Sequence, residues 1–270
     1  MTLEALNQQY TILIFDSGIG GFSIYKNIKI FFPNARYIYI FDNEFFPYGE
    51  QTERFIISRS IKILTVVSKK FKIHIAIIAC NTISIAGLPI LKERFHFQII
   101  GVLPEIESAI MLTKNKIIGL LATPFTVNHS YIKNMISILS NTYEIKIIGS
   151  SELVKITEKK MSGKLCCMKE IKKILEPWLY LNNIPDTILL GCTHFYWIKK
   201  ELKLILPNNT ILINSGNLIP YYISQFITNK KHKQIKKNKV LCSQINDKVH
   251  LLSFFFKKNG FNPPEKLILN

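Results

Sequence analysis

The sequence predicts an α/β protein of two similar lobes, each a mainly parallel sheet flanked by helices, with a cleft between them. Three observations predict it. Apolar, β-branched runs alternate with longer amphipathic stretches, the pattern of parallel strands covered on both faces. Two of these runs end in related units, Ile77-Ile78-Ala79-Cys80-Asn81-Thr82 and Leu189-Leu190-Gly191-Cys192-Thr193-His194. Two others end in polar turns, at Asp16-Ser17-Gly18 and at Ala122-Thr123-Pro124, and each precedes its cysteine unit by about the same distance. A polar turn and a thiol, each present twice in the same order, imply two lobes that offer equivalent groups to one shared cleft.

In chain order, strands are expected at 11–15, 37–41, 73–79, 98–102, 116–122, 144–148, 187–190 and 210–213. Helices are expected at 52–69, 104–112, 126–139 and 166–181. After Asn214 come a stretch at 216–228, a basic run and a last helix over about 247–259, stopped by Gly260. The Phe254-Phe255-Phe256 cluster in that helix is too apolar for an isolated tail and should pack back on the first lobe. The expected lobes are therefore 1–103 plus 216–270, carrying Cys80, and 104–215, carrying Cys192.

Composition narrows the class. Of the 270 residues, 48% are hydrophobic and 20% charged, enough for a substantial core and against global disorder. The first nine residues have no basic patch or long apolar run, so they do not read as a secretory signal. The most apolar stretch, 73–90, is interrupted by Cys80, Asn81, Thr82 and Ser84 and makes a poor membrane span. A cytoplasmic protein with no membrane association is the expectation. The 5 cysteines show no CxxC pair and no metal-finger spacing, which fits a reducing compartment and no metal. The net charge of +17 raises nucleic acid as a partner. Its densest run, Lys230-Lys231-His232-Lys233 with Lys236, Lys237 and Lys239, has no aromatic residue for base stacking, so it reads as a solvated surface.

Several residues carry candidate chemistry. The turn Asp16-Ser17-Gly18-Ile19-Gly20-Gly21 can aim backbone N–H groups into a cleft where a helix starts. It lacks both dinucleotide spacing and the Lys-Ser/Thr of a P-loop. Asp16 serves equally as a helix cap or as a cleft group. Phe45-Phe46-Pro47-Tyr48-Gly49 is either an ordinary turn or a loop over a ligand, with Tyr48 and Gly49 as donors. A single buried cysteine usually just packs. Two at strand ends, each followed by polar side chains, argue for an acid and a base of the same type, with a thiol pKa lowered toward neutrality at a helix start. His194 is placed to tune Cys192, and Glu158 is an ordinary surface carboxylate by sequence alone. A Cys192/His194 metal site lacks further ligands, and a protease-like Cys–His pair leaves the second cysteine unit unexplained.

Phe-Asp-Ser-Gly-Ile-Gly-Gly, Pro-Tyr-Gly, Ala-Cys-Asn-Thr, Ala-Thr-x-x-Thr and Gly-Cys-Thr-His, in this order from about 11 to 215, resemble the bacterial glutamate racemases of the aspartate/glutamate racemase superfamily. The resemblance implies a cofactor-independent, two-base proton transfer that interconverts L- and D-glutamate and supplies D-glutamate for peptidoglycan. Aspartate or another acidic amino acid is the alternative substrate, and a basic nucleic-acid-binding protein on a racemase scaffold is the alternative of a different class. Carried over by position, Cys80 would deprotonate D-glutamate and Cys192 L-glutamate. Asp16 would assist the first thiol, and His194 with Glu158 the second. Asp16, Ser17, Pro47, Tyr48, Gly49, Asn81, Thr82, Thr123, Thr126, Thr193 and His194 would hold the substrate. A homodimer is compatible with this reading. Two positions depart from the family pattern: Asn214 stands where many relatives have an acidic residue, and Phe195-Tyr196-Trp197 replaces an aromatic-proline continuation.

Overall fold

The computed structural model describes residues 9–227 and 236–269. Among the described residues ten strands form two sheets in which every pairing is parallel. The first sheet contains β1 (Thr11–Asp16), β2 (Arg36–Phe41), β3 (Ile75–Ile78), β4 (Gln98–Gly101), β9 (Lys239–Cys242) and β10 (Glu265–Lys266), in the order β10-β9-β2-β1-β3-β4. The second contains β5 (Ile117–Ala122), β6 (Glu144–Gly149), β7 (Thr187–Gly191) and β8 (Ile211–Asn214), in the order β6-β5-β7-β8. The order β2-β1-β3-β4 is thus repeated as β6-β5-β7-β8, and the duplication inferred from the turns and cysteines is present in the topology.

This order has a functional consequence. In a doubly wound sheet the connections leave β1 toward opposite sides at its junction with β3, opening a crevice at the strand ends. Phe15 pairs with Ile78, so Asp16-Ser17 and Ala79-Cys80 emerge side by side from the first sheet. Ala122 pairs with Gly191, so Thr123 and Cys192 emerge together from the second. Both pairs therefore leave their sheets at a switch point.

The helices are α1 (Phe22–Phe31), α2 (Glu53–Lys70), α3 (Asn81–Arg94), α4 (Ile106–Leu112), α5 (Pro124–Asn128), α6 (Ser130–Leu139), α7 (Ser151–Met161), α8 (Met168–Leu179), α9 (Lys199–Ile205), α10 (Ile219–Ser224) and α11 (Asp247–Lys258). Side-chain caps account for several starts. Thr52 accepts from the Phe55 N–H, Ser150 from Leu153 and Asn246 from Val249. The single helix expected over 126–139 is two. His129 takes an extended conformation between them, and its side chain accepts from the Tyr131 N–H to cap the second.

The C-terminal segment completes the first sheet. Val249, Leu252 and Phe256 line one face of α11 and bury against the core of β1 and β2. Phe256 is fully buried beside Phe22 and Tyr39, whereas Phe254 is 76% exposed. Helical spacing thus divides the Phe254–Phe256 triplet between core and surface. Strands β9 and β10 were not expected from the sequence. Lys239, read as the end of a solvated run, lies in β9 and pairs with Glu265 of β10 at 2.8 Å. Lys236 and Lys237 are exposed, and Lys230, Lys231, His232 and Lys233 lie outside the described residues. No helix among the described residues is long and apolar enough to cross a membrane.

Candidate active site

Cys80 ends the loop after β3 and stands at the N-terminus of α3. Its backbone is extended, so the chain turns there from sheet into helix. Its thiol lies 3.8 Å from the Ser17 hydroxyl. Asp16 is buried next to it and spends both carboxylate oxygens. Oδ1 accepts from the Ser17 N–H at 2.7 Å, and Oδ2 accepts from the Gly21 N–H at 2.5 Å and the Thr193 hydroxyl at 3.0 Å. Asp16 therefore fills both roles its position suggested. It satisfies an amide at the start of α1 and it faces the other sheet's cysteine unit across the cleft.

The second thiol has a different setting. Cys192 precedes a 3₁₀ segment, Thr193–Ile198, instead of an α-helix. Its sulfur lies 3.7 Å from His194 Nδ1, and His194 Nε2 lies 2.7 Å from a Glu158 carboxylate oxygen. Glu158, on α7, also accepts from the Ile19 N–H at 3.5 Å, so it reaches the Asp16 turn from the opposite side. What the sequence presented as a surface carboxylate is thus in contact with His194, which itself contacts Cys192. The glycines of that turn make room for it. A side chain at Gly20 would overlap the His194 ring, with Nδ1 only 2.4 Å from the added carbon.

Electrostatics separates the two thiols. Burial pushes the Cys80 thiol well up, and the Asp16 charge adds to it; the Ile83 N–H at the head of α3 lowers it but is outweighed. This corrects the expectation of a thiol lowered by its helix start, because desolvation exceeds the effect of one amide. Cys192 also contributes to raising Cys80. Burial likewise raises the Asp16 carboxyl against the opposing pull of His194 and its hydrogen bonds. His194 is itself fully buried, which alone would depress it. Its contacts to Cys192 and Glu158 win and hold it well above the usual histidine value. The described site therefore favours the protonated form of Cys80 on one side and of His194 on the other.

The remaining predicted residues make the following contacts. Thr82 Oγ1 is 3.1 Å from Thr123 Oγ1, which donates to Thr126 Oγ1 at 3.0 Å. Asn81 donates to the Val102 carbonyl, and its buried Oδ1 has no partner among the described residues. Pro47 leads into a 3₁₀ turn, Tyr48–Glu50, packed on α5. The Tyr48 hydroxyl is committed to Asp42 at 2.5 Å, and Gly49 packs against the Thr123 side chain. Asn214, in contrast, lines a separate cavity of about 190 Å³ with Ser23, Lys26 and Tyr196. Trp197 docks on the Asp16 turn, its indole N–H donating to the Gly20 carbonyl at 3.0 Å. Asp42 and Arg59, which hold Tyr48, carried no sequence signal: they lie on different elements and belong to no motif. Among the described residues no three His, Cys, Asp or Glu side chains gather as metal donors.

The chain was compared with families, curated proteins and solved structures. No family model matches the chain. It is 48% identical to a glutamate racemase of Buchnera aphidicola subsp. Schizaphis graminum, over 96% of this chain and 100% of the relative. It is 43% identical to a glutamate racemase of Pectobacterium atrosepticum, over 100% of this chain and 96% of the relative. The crystal structure of Escherichia coli glutamate racemase, in complex with L-glutamate and activator UDP-MurNAc-ala, matches with a TM-score of 0.92 at 39% identity. That match covers 97% of this chain and 100% of the other.

Proposed function

The chain belongs to the glutamate racemase family, and from that premise we propose that it interconverts L- and D-glutamate by cofactor-independent proton transfer between two cysteines. The observation that carries the reading is that Cys80 and Cys192 stand at equivalent switch points of a duplicated sheet, their turns joined by the Thr193–Asp16 hydrogen bond and their thiols beside different side chains, Ser17 and His194. The division into lobes 1–103 plus 216–270 and 104–215 is part of this reading, supported by the sheet membership of the strands on either side.

The Cα–H of an amino acid is a very weak acid, so the negative charge that forms as it leaves needs preorganised donors. The Thr82, Thr123 and Thr126 hydroxyls and the backbone of Tyr48 and Gly49 supply them, and the unpartnered Asn81 Oδ1 supplies an acceptor for the ammonium. With L-glutamate bound, Cys192 removes the Cα proton on one face while Cys80 delivers its own proton to the other. The product is D-glutamate, and the two thiols have exchanged protonation states. His194 carries a proton beside Cys192, with Glu158 holding the ring. Cys80 takes the proton in the reverse direction, with Asp16 beside it.

On this reading the enzyme works in the cytoplasm and its product feeds peptidoglycan synthesis. The test is a circular-dichroism assay of purified protein with L-glutamate, D-glutamate and L-aspartate offered separately. Loss of signal from both glutamate enantiomers, with aspartate turned over at least about a hundredfold less efficiently, is expected. A stable signal from glutamate overturns the reading, and equal turnover of aspartate replaces its substrate.

A further inference from the structure

The loop between β2 and α2 reaches into the cleft, and its placement depends on groups that do not. Asp42 follows β2 and is fully buried. A buried carboxylate stands only with partners that compensate its lost hydration. Here they are the Arg59 guanidinium, bidentate at 2.8 and 2.9 Å, and the Tyr48 hydroxyl at 2.5 Å. Arg59 projects from α2, bonds Glu44 at 2.7 Å with the same fork and lies 4.6 Å above the Phe45 ring. One side chain from the helix that follows the loop therefore grips its first residues directly and its far end through Asp42 and Tyr48.

The gripped loop is what meets the other sheet's side of the cleft. The Phe46 ring lies 5.4 Å from His194. Gly49 packs so closely on Thr123 that an added Cβ would fall 2.6 Å from its side chain. Glu50 pairs with Lys155 at 2.5 Å. Burial, and then the Asp42 charge, push the Tyr48 phenol far up, so it remains a donor to Asp42.

Resting on the racemase reading above, we propose that Arg59 is a positioning residue that, through Asp42 and Tyr48, holds the 43–51 loop in the cleft so that the Tyr48–Gly49 backbone meets the substrate. Arg59 touches none of the groups assigned to glutamate. The planar fork is needed because a lysine makes one of the two bonds to Asp42 and cannot also reach Glu44 in the same plane. The loop engages substrate before and during proton transfer alike, so its loss falls mainly on KM.

The test compares wild type with Arg59→Ala, Arg59→Lys and Tyr48→Phe by steady-state kinetics with each glutamate enantiomer, amide hydrogen exchange and thermal unfolding. For Arg59→Ala, KM is expected to rise about tenfold or more for both enantiomers while kcat changes by less than about threefold. Exchange of the 43–51 amides is expected to quicken about tenfold with β5 and α3 unaffected. Arg59→Lys should recover part of both effects. A lower melting temperature with KM and loop exchange unchanged assigns Arg59 a merely structural role and overturns the proposal. If Arg59→Ala does not fold, Tyr48→Phe decides, since it must quicken the same amides and unchanged exchange refutes the clamp. A wild type without racemisation sinks the enzymatic reading, and loop exchange then decides the clamp alone.

Discussion

Thr82 Oγ1 and Thr123 Oγ1 lie 3.1 Å apart, although Thr82 follows a strand of the six-stranded sheet and Thr123 a strand of the four-stranded one. The Thr193 hydroxyl crosses the same gap to Asp16 at 3.0 Å. These hydroxyls bond across the gap and close it around the two buried cysteines.

Closure predicts how the thiols react. Cys80 and Cys192 are 7% and 8% exposed, whereas Cys167 is open to solvent. Peptide mapping after a brief iodoacetamide pulse should show Cys167 labelled about a hundredfold faster than either cleft cysteine, since attack requires access as well as thiolate. Equal labelling of the three would mean that the cleft stands open.

Replacing either cleft thiol by Ala should lower racemisation by about a thousandfold or more, because the face of Cα that it serves then has no thiol to take or deliver the proton. The cost in stability should stay within the ordinary range of about 0.5–3 kcal/mol. Both variants are checked by turnover and thermal unfolding, and near-normal turnover of either one removes it from the mechanism.

The sequence made the strand order of this chemistry legible, through particular residues. Asp16, Cys80, Thr123 and Cys192 each end an apolar run, and strand ends are where a parallel sheet exposes its site. The short strands β9 and β10 were not legible: four residues after a lysine run, and two near the terminus, carry no periodicity to read. The break at His129 depends on one side chain capping its own successor, which no apolar spacing signals. Glu158 looked like any surface carboxylate because its partners, His194 and Ile19, are distant in the chain. The direction of the Cys80 shift was misread for a related reason. A helix start is visible in sequence, but the depth of burial that outweighs it is a tertiary property.

His194 makes stability depend on pH. Its folded-state value is raised by Cys192 and Glu158, so the stability it contributes is fully present below the unfolded value of about 6.5 and is lost as pH rises through the folded value. The melting-temperature gap between wild type and His194→Asn should be widest below about pH 6.5 and narrow under alkaline conditions. A gap that widens toward alkaline pH would place the proton elsewhere.

The two ends of the Phe254–Phe256 triplet should differ sharply on truncation. Phe256→Ala opens a cavity against Phe22 and Tyr39 and should cost about 3–5 kcal/mol. Phe254→Ala, on the exposed face, should stay within about 0.5 kcal/mol. Urea unfolding of both gives the comparison, and similar losses would mean that α11 is rotated from the packing described.

The central claim is that two thiols act from opposite faces of Cα, and solvent isotope exchange tests it most directly. In deuterium oxide, L- and D-glutamate are each incubated separately with the wild-type protein and followed at early times. The account predicts that the product enantiomer carries deuterium at Cα while the remaining substrate keeps its proton, in both directions, because the group that abstracts is not the group that delivers. Deuterium entering the unreacted enantiomer as fast as the product, or product that retains the original proton, would show a single base on one face and contradict the pairing of Cys80 with Cys192.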